Sequence, residues 1–194
     1  MRKAIAFTSL LAGASLLVAC SNNNEPTAMD RAEDTVSAGV GQVSANVMGA
    51  NNTESYVNSA SMGDLYEIRS ADLALQHGQS DEVKELARMI KVDHTEATEK
   101  LRTAVGQAGE TSWIAGELDQ RRKGLLDNLT NAANGDFDKI YLQQQVAAHE
   151  EAIALHSGFA DNAEAAQLSA HAQAVLPKIR AHLEKAQELL AAKS

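Results

Sequence analysis

Four ionisable side chains occupy positions on predicted helices where an aliphatic side chain would be usual. At about 100° per residue, Glu67, His94 and His149 fall within the apolar stripe of their own helices, and His182 lies towards the edge of a fourth stripe. Histidine is the commonest protein ligand for metal ions, and carboxylates complete many sites built from nitrogen and oxygen donors. The presence of one such residue on each helix predicts that the four bind a divalent metal ion, zinc or a similar ion, inside the protein.

The same four residues also fit a second interpretation. A buried carboxylate needs a partner, and imidazoles can supply it through hydrogen bonds without any metal. On this interpretation the protein is a structural or interaction module of the cell envelope, with a hydrogen-bonded His/Glu network in its core. Helical spacing places the residues on inward faces, but it does not show that they lie at one level.

The other histidines are predicted to be less central. His77 precedes Gly78 at a helix end, where a cation is favourable. We place His156 and His171 at the edge of the core, whereas Glu150 and Glu151 are predicted to point away from it.

Known catalytic motifs are absent from the sequence. Di-iron carboxylate bundles need an acidic residue three positions before a histidine, but those positions hold Lys91, Val146 and Ile179, so no di-iron centre is expected. The segment that begins His149-Glu150-Glu151 resembles a zinc protease helix until Ile153, where the second histidine is required. The sequence also has no Gly-x-Ser-x-Gly motif and no P-loop, so no motif supports an enzyme, and a metal-dependent enzyme stays open only as a third class of function.

Helix-forming residues and breaks between them predict an all-α protein. The chain has two prolines and many Ala, Leu, Glu, Gln and Lys residues, and Gly78 and Gly109 mark helix ends. Long helices with short connections predict an antiparallel four-helix bundle, with the last helix kinked or split near Pro177. The predicted helical segments are 54–77, 80–108, 113–131, 137–160 and 163–192.

The N-terminus has the features of an exported lipoprotein. Arg2 and Lys3 precede an uncharged apolar run, which predicts a signal peptide over residues 1–19. The sequence Leu17-Val18-Ala19-Cys20 looks like the lipobox of bacterial lipoproteins, so Cys20 is the predicted lipidation site and the membrane anchor. Ser21 after the cysteine favours the outer membrane, with the domain facing the periplasm.

A polar tether is predicted to join the lipid to the helical domain. Residues 20–52 are rich in Asn, Ser, Gly and Ala, although four valines at helical spacing, Val36, Val40, Val43 and Val47, indicate a weak helix that a protein partner in the envelope could stabilise. The helical domain itself is predicted over residues 53–194.

The charge of the mature chain excludes one class of partner. Of 17 Lys and Arg residues, Arg2 and Lys3 leave with the signal peptide, so 15 remain against 26 Asp and Glu. Nucleic-acid affinity depends on basic surfaces, so we expect no nucleic-acid partner. Cys20 is the only cysteine, which excludes disulfides and thiolate metal sites from the helical domain.

Three separated motifs resemble those of a large bacterial domain-of-unknown-function family. They are Asp93-His94 within "EVKELARMIKVDHTEATEKL", Phe137-Asp138-x-x-Tyr141 in the helix that carries His149, and Leu176-Pro177 before His182-Leu183. Members of that family are exported, often lipoproteins, are labelled putative outer-membrane proteins, and are similar to ferritins in fold. The resemblance implies a ferritin-like bundle over about residues 54–190, with recurrent polar positions at Glu67, Asp93, His94, His149 and His182. Around a metal site, Asp93 and Tyr141 are predicted to contact the ligands.

Together these observations predict a lipid-anchored envelope protein that binds a divalent metal or a small ligand in its core. Its expected role is in metal handling or envelope stress.

Overall fold

The regular structure of the protein is entirely helical in the residues that the computed structural model describes, which are 52–107, 114–132 and 135–193. Five α-helices follow one another: α1 Thr53–His77, α2 Asp81–Gln107, α3 Gln120–Thr130, α4 Phe137–Phe159 and α5 Ala166–Ala191, with a short 3-10 helix, Ala163–Ala165, before the last. The predicted all-α class is therefore confirmed. None of the described helices combines the length and apolar character that a membrane span requires.

The ends of α1 and α2 are fixed by local hydrogen bonds. The Asn52 side chain accepts from the amide of Ser55 at 2.9 Å and caps α1. At the other end, the Gly78 amide donates to the Ala74 carbonyl, and a Cβ at position 78 would lie 2.5 Å from that oxygen. Glycine is therefore required where α1 ends. Ser80 then accepts from the Val83 amide at 3.3 Å, at the start of α2.

Four long helices surround one interior. α1 packs against α2 and α4, and α5 packs against α4 and α2. Tyr56 near the start of α1 contacts His156 near the end of α4, whereas Tyr66 further along α1 bonds Gln144 earlier in α4, so these two helices run in opposite directions. The short helix α3 packs on the outside, against α1 and α4.

The interior has three layers. One apolar cluster includes Ala71, Ile90 and Phe137, and a second, at the other end, includes Tyr56, Leu101 and Phe159. Burial of such side chains is worth roughly 1.5–3 kcal/mol each, so both ends are strongly held. Between the two clusters, each long helix carries at least one buried ionisable residue: Asp64 and Glu67 on α1, His94 on α2, His149 on α4 and His182 on α5. His94, His149 and His182 thus share a level.

Two predicted boundaries need correction or refinement. The helix predicted from Trp113 begins only at Gln120, because the Asp119 side chain accepts from the Arg122 amide at 2.7 Å and caps the helix there. Just upstream, the Ala115 amide donates to the Ser61 hydroxyl, a bond outside any helix. Helix α5 runs through Pro177 without interruption, so the split that was one alternative does not occur.

Asp138 ties the first turn of α4 to the α1–α2 connection. Its buried carboxylate accepts from the amides of Gln79 at 2.7 Å and Ser80 at 3.0 Å, and from Lys193 Nζ at 3.0 Å. Burial alone would raise the pKa of Asp138, but these donors outweigh it and lower the pKa below its usual value. We expect Asp138→Asn to lower the free energy of unfolding at pH 7 by about 1–3 kcal/mol, because it leaves a buried donor without its acceptor.

Urea unfolding at several pH values tests this expectation. Because the folded-state pKa is depressed, the stabilisation is present above the unfolded-state pKa and is lost as pH falls through the folded-state pKa. The difference between wild type and Asp138→Asn should therefore shrink in acid. Asp136→Asn is the matched control, since the Asp136 side chain makes no capping bond. Equal effects of the two substitutions would contradict the proposed role of Asp138.

Candidate metal centre

Three histidines from three helices converge in the polar layer. His94, His149 and His182 are all buried, and one ring nitrogen from each lies within 4.8 Å of the corresponding nitrogens of the other two. His149 Nε2 and His182 Nδ1 lie 3.3 Å apart. The structure therefore brings together three of the four residues predicted as ligands.

The outer nitrogen of each ring is held by an oxygen acceptor. His94 Nδ1 lies 2.8 Å from Asp64 Oδ1, and His182 Nε2 lies 3.0 Å from Asp93 Oδ2. His149 Nδ1 lies 2.9 Å from the carbonyl oxygen of Gln145, one turn earlier on its own helix. Metal-binding histidines usually donate their second nitrogen to a carboxylate or carbonyl in this way, which fixes the tautomer and orients the ring.

The inner nitrogens are consequently left with lone pairs directed at one another. If His149 donates through Nδ1 and His182 through Nε2, then the two nitrogens 3.3 Å apart are both acceptors and cannot hydrogen-bond to each other. His94 Nε2 is buried and has no hydrogen-bond partner within the described part of the chain. A cation among the three nitrogens would satisfy all of them, so the donor set fits a metal ion.

The charge states of His149 and His182 agree with this arrangement. Burial lowers the pKa of His149 well below its usual value, and burial together with His94 lowers the pKa of His182 to about 4. Both rings are therefore neutral at pH 7, as metal binding requires. Burial also acts to lower the pKa of His94, but the hydrogen bond and negative charge of Asp64 outweigh it and raise that pKa.

Glu67, the fourth predicted ligand, lies beside the three histidines rather than among them. Its Oε1 is 3.8 Å from His149 Nδ1, on the outer side of that ring, and its carboxylate does not belong to the group of converging atoms. Burial raises the pKa of Glu67 to about 7, and its Oε2 is buried without a hydrogen-bond partner among the described residues. Its predicted role as a metal ligand remains a prediction.

The two residues predicted to contact the ligands differ in their positions. Asp93 accepts from His182 and, through Oδ1, from Lys178 Nζ at 2.7 Å, so it orients one ligand. Tyr141 is fully buried, but no hydrogen bond of its hydroxyl is found, either to the three histidines or elsewhere within the described ranges. Cys20 and the valines of the tether lie outside the described residues.

Asp64 is a site residue that sequence reasoning missed. It receives hydrogen bonds from His94 and from Thr98 Oγ1, the latter at 3.0 Å to Oδ2. Asp64 lies three residues before Glu67 and therefore on the same side of α1. This spacing is the sequence feature that could have identified it as an inward residue.

Glu151 corrects a second expectation. It was predicted to point away from the core, yet it is only 7% exposed. Arg122 Nη2 donates to its Oε1 at 2.8 Å and Arg121 Nη2 to its Oε2 at 2.7 Å, so the carboxylate is buried against two guanidinium groups from α3. The sequence of α4 alone could not show that the short helix α3 covers this face.

His156 and His171 form a separate pair, one layer away from the three histidines. Both are buried, with ring centroids 6.1 Å apart, and Tyr56 Oη lies 3.0 Å from His156 Nδ1. Burial lowers the pKa of His156 to about 3 and also lowers that of His171. These rings are neutral packing partners of the apolar cluster around Tyr56. His77 is exposed in the last turn of α1, where it was predicted.

Two small cavities flank the three histidines. We call the first the inner cavity; it measures about 40 Å³ and is lined by His94, His149, Glu67, Arg122 and residues of α1 and α4. The second, the outer cavity, measures about 30 Å³ and lies between α2 and α5, where His182, Asp93, Glu96 and Lys178 line it. His94 lines both, so the converging nitrogens lie between the two cavities.

Comparison with protein families adds a classification to this geometry. Residues 38–189 match the model of a domain of unknown function, DUF4142, over most of the chain. The chain belongs to the DUF4142 family. The predicted membership in a domain-of-unknown-function family is confirmed to that extent, and the family itself carries no assigned activity.

Solved structures share the fold of this DUF4142 protein. A structure of CopM in the Cu(II)-bound form matches with a TM-score of 0.62 and 21% identity, over 73% of this chain and 97% of that one. CopM in the Cu(I)-bound form matches with a TM-score of 0.60 and 21% identity, over 72% and 95% of the two chains. At this identity the likeness concerns the fold. No protein with a curated description matches the sequence.

Proposed function

We propose that this DUF4142 protein binds one divalent first-row metal ion through His94 Nε2, His149 Nε2 and His182 Nδ1. The observation that carries the proposal is the convergence of three buried nitrogens whose outer counterparts are already held by oxygen acceptors. Preorganised rings of this kind lose little freedom when they bind a metal. The three helices that hold them, together with α1, would form an antiparallel ferritin-like four-helix bundle.

The donor chemistry favours Cu²⁺ or Zn²⁺. Imidazole suits both ions, and Cu²⁺ binds a given nitrogen and oxygen site more tightly in the order of divalent metals. CopM, which shares the fold, has been solved with copper in two oxidation states, and this supports adding copper to the zinc expected from the sequence. Among the His, Cys, Asp and Glu side chains of the described residues, the converging donors are three histidine nitrogens, and such donors favour the divalent over the monovalent ion.

We also propose that the protein works in metal handling at the cell envelope. The support is the sequence Leu17-Val18-Ala19-Cys20 after an apolar run, which would anchor the domain by lipid and leave it facing the periplasm, most simply at the outer membrane. An envelope protein with a buried three-histidine site could sequester or pass on a metal ion. A structural module with a metal-free hydrogen-bonded core is the competing function.

Metal analysis of the purified protein separates the two functions. After dialysis against Cu²⁺ or Zn²⁺ and removal of free ion, we expect one ion per chain in the wild type and none in His94→Gln, which loses a converging nitrogen. His77→Gln is the matched control, because it removes an exposed histidine from a helix end. A wild type without stoichiometric metal, or equal metal content in His94→Gln, would favour the structural module.

A further inference from the structure

We propose that the bound metal keeps one coordination position open towards the inner cavity, and that this position holds water that a small monoanion can replace. The inference rests on the metal site proposed above and specifies what else that site binds. It assigns to the inner cavity a ligand class: anions of two or three heavy atoms with a donor atom for the metal.

The ligand count leaves the position open. In the described part of the chain, the group of converging donors contains three nitrogens and no carboxylate. A Zn²⁺ or Cu²⁺ ion with three protein ligands takes a fourth from solvent or substrate, and this distinguishes reactive sites from closed structural ones. Glu67 does not fill the position in this structure, since its carboxylate is not among the converging donors and its Oε1 lies 3.8 Å from His149 Nδ1, the outer nitrogen of that ring.

The inner cavity offers space next to that position. Two of the three histidines, His94 and His149, line it directly. Roughly 10–15 Å³ of space for the centre of a water molecule is enough for one ordered water. A cavity of about 40 Å³ therefore accommodates a few waters or one small anion, but no larger organic ligand.

The polar lining of the cavity matches a metal-bound water or anion. Glu67 is 3% exposed, lines the cavity, and has a buried Oε2 with no hydrogen-bond partner among the described residues. Such an acceptor is costly unless a hydrogen-bond donor in the cavity bonds to it, and a metal-bound water would be such a donor. Arg121 and Arg122 line the same cavity, and three neutral imidazoles leave the full charge of the ion for an incoming anion to meet.

Gly63 provides a way to close the cavity without touching a ligand. It lines the inner cavity on α1, and a Cβ built on it meets no atom within 4 Å. A larger side chain there would occupy the space of the anion. Gly124 on α3 is the matched control, because a Cβ there is equally unobstructed and Gly124 does not line this cavity.

Titration of the copper-loaded protein with sodium azide tests the proposal. In the wild type and in Gly124→Leu we expect a saturable azide-to-copper charge-transfer band, one azide per copper, with a matching change in the electron paramagnetic resonance spectrum. Gly63→Leu should bind copper with unchanged stoichiometry but weaken azide binding by about tenfold or more. If Gly63→Leu does not fold, Gly63→Ala should weaken azide binding in the same direction by a smaller factor.

The outcomes distinguish this proposal from the metal site on which it rests. Copper bound in stoichiometric amount with no spectral response to azide would overturn the open position and leave the metal site standing. An azide response that Gly63→Leu and Gly63→Ala leave unchanged would remove the inner cavity from the proposal. A protein that binds no copper would overturn both.

Discussion

Copper or zinc at a free concentration 100 times its dissociation constant should raise the free energy of unfolding by about 2.7 kcal/mol, because an ion that binds only the folded state stabilises it by mass action. For a helical domain of this size, the melting temperature should rise by on the order of 10 °C. Calorimetry with chelator, and then with increasing metal, measures the shift. The ion is expected to bind only the folded state because folding is what brings His94, His149 and His182 together.

His149→Leu should abolish this metal-dependent shift. Without metal, the same substitution should be close to neutral or stabilising, because it removes an inner nitrogen that faces another acceptor at 3.3 Å and puts an apolar side chain in a buried position. The two effects have opposite signs, and a histidine that merely filled the core would show only the second.

His171→Leu is the matched control for this variant. It replaces another buried histidine with the same apolar residue, but one outside the converging group. We expect His171→Leu to keep the full metal-dependent shift. If metal stabilises His149→Leu as much as the wild type, the three-histidine site is wrong.

Arg122→Met should lower the free energy of unfolding by about 3 kcal/mol or more. Removal of one partner from a buried ion pair typically costs 3–5 kcal/mol, because the other charge stays buried. Arg122 is 9% exposed and bonds both Glu151 and Asp119, the latter at 2.6 Å. Arg121 still donates to Glu151, which places the expected cost at the lower end of that range.

Chemical denaturation of three variants checks the origin of this loss. Lys123→Met removes an exposed cation on the same helix that lies 3.6 Å from Glu117, so its cost should be below about 1 kcal/mol. The double variant Arg122→Met/Glu151→Leu should recover part of the stability, since both buried charges are then absent. Equal stability of Arg122→Met and Lys123→Met would show that the buried network contributes little.

The helices were predictable because their signals are local. Gly78 ends α1 and Ser80 starts α2 through bonds made within a few residues, and the sequence places both correctly. The start of α3 was not predictable in the same way. There the Asp119 cap competes with helix-forming residues on both sides, and the segment before it bonds to Ser61 on another helix.

The sequence predicted which side of each helix the site residues occupy, but not their level along the bundle axis. Helical periodicity gives the angle of a side chain around its helix axis, so it identified His94, His149 and His182 as inward residues. It does not give the axial offset between neighbouring helices. Asp64 and Glu67 both face inward and are three residues apart on α1. The axial offset decides which of them hydrogen-bonds to His94, and that residue is Asp64.

Cross-helix contacts account for the remaining differences. Glu151 is buried because α3 lies over that face of α4 and brings two arginines to it. A pattern within α4 cannot contain that information, since the covering residues come from elsewhere in the chain.

The ligands of the site come from both halves of the chain. His94 belongs to the hairpin of α1 and α2, whereas His149 and His182 belong to α4 and α5. A bound ion would therefore join positions 94 and 149 across the intervening chain, and because the ion binds only the folded state, neither hairpin could unfold alone without releasing it. Metal supply would thus set how cooperatively the two hairpins unfold, so that the loaded protein melts as one unit while its halves can separate more readily once the ion is withdrawn.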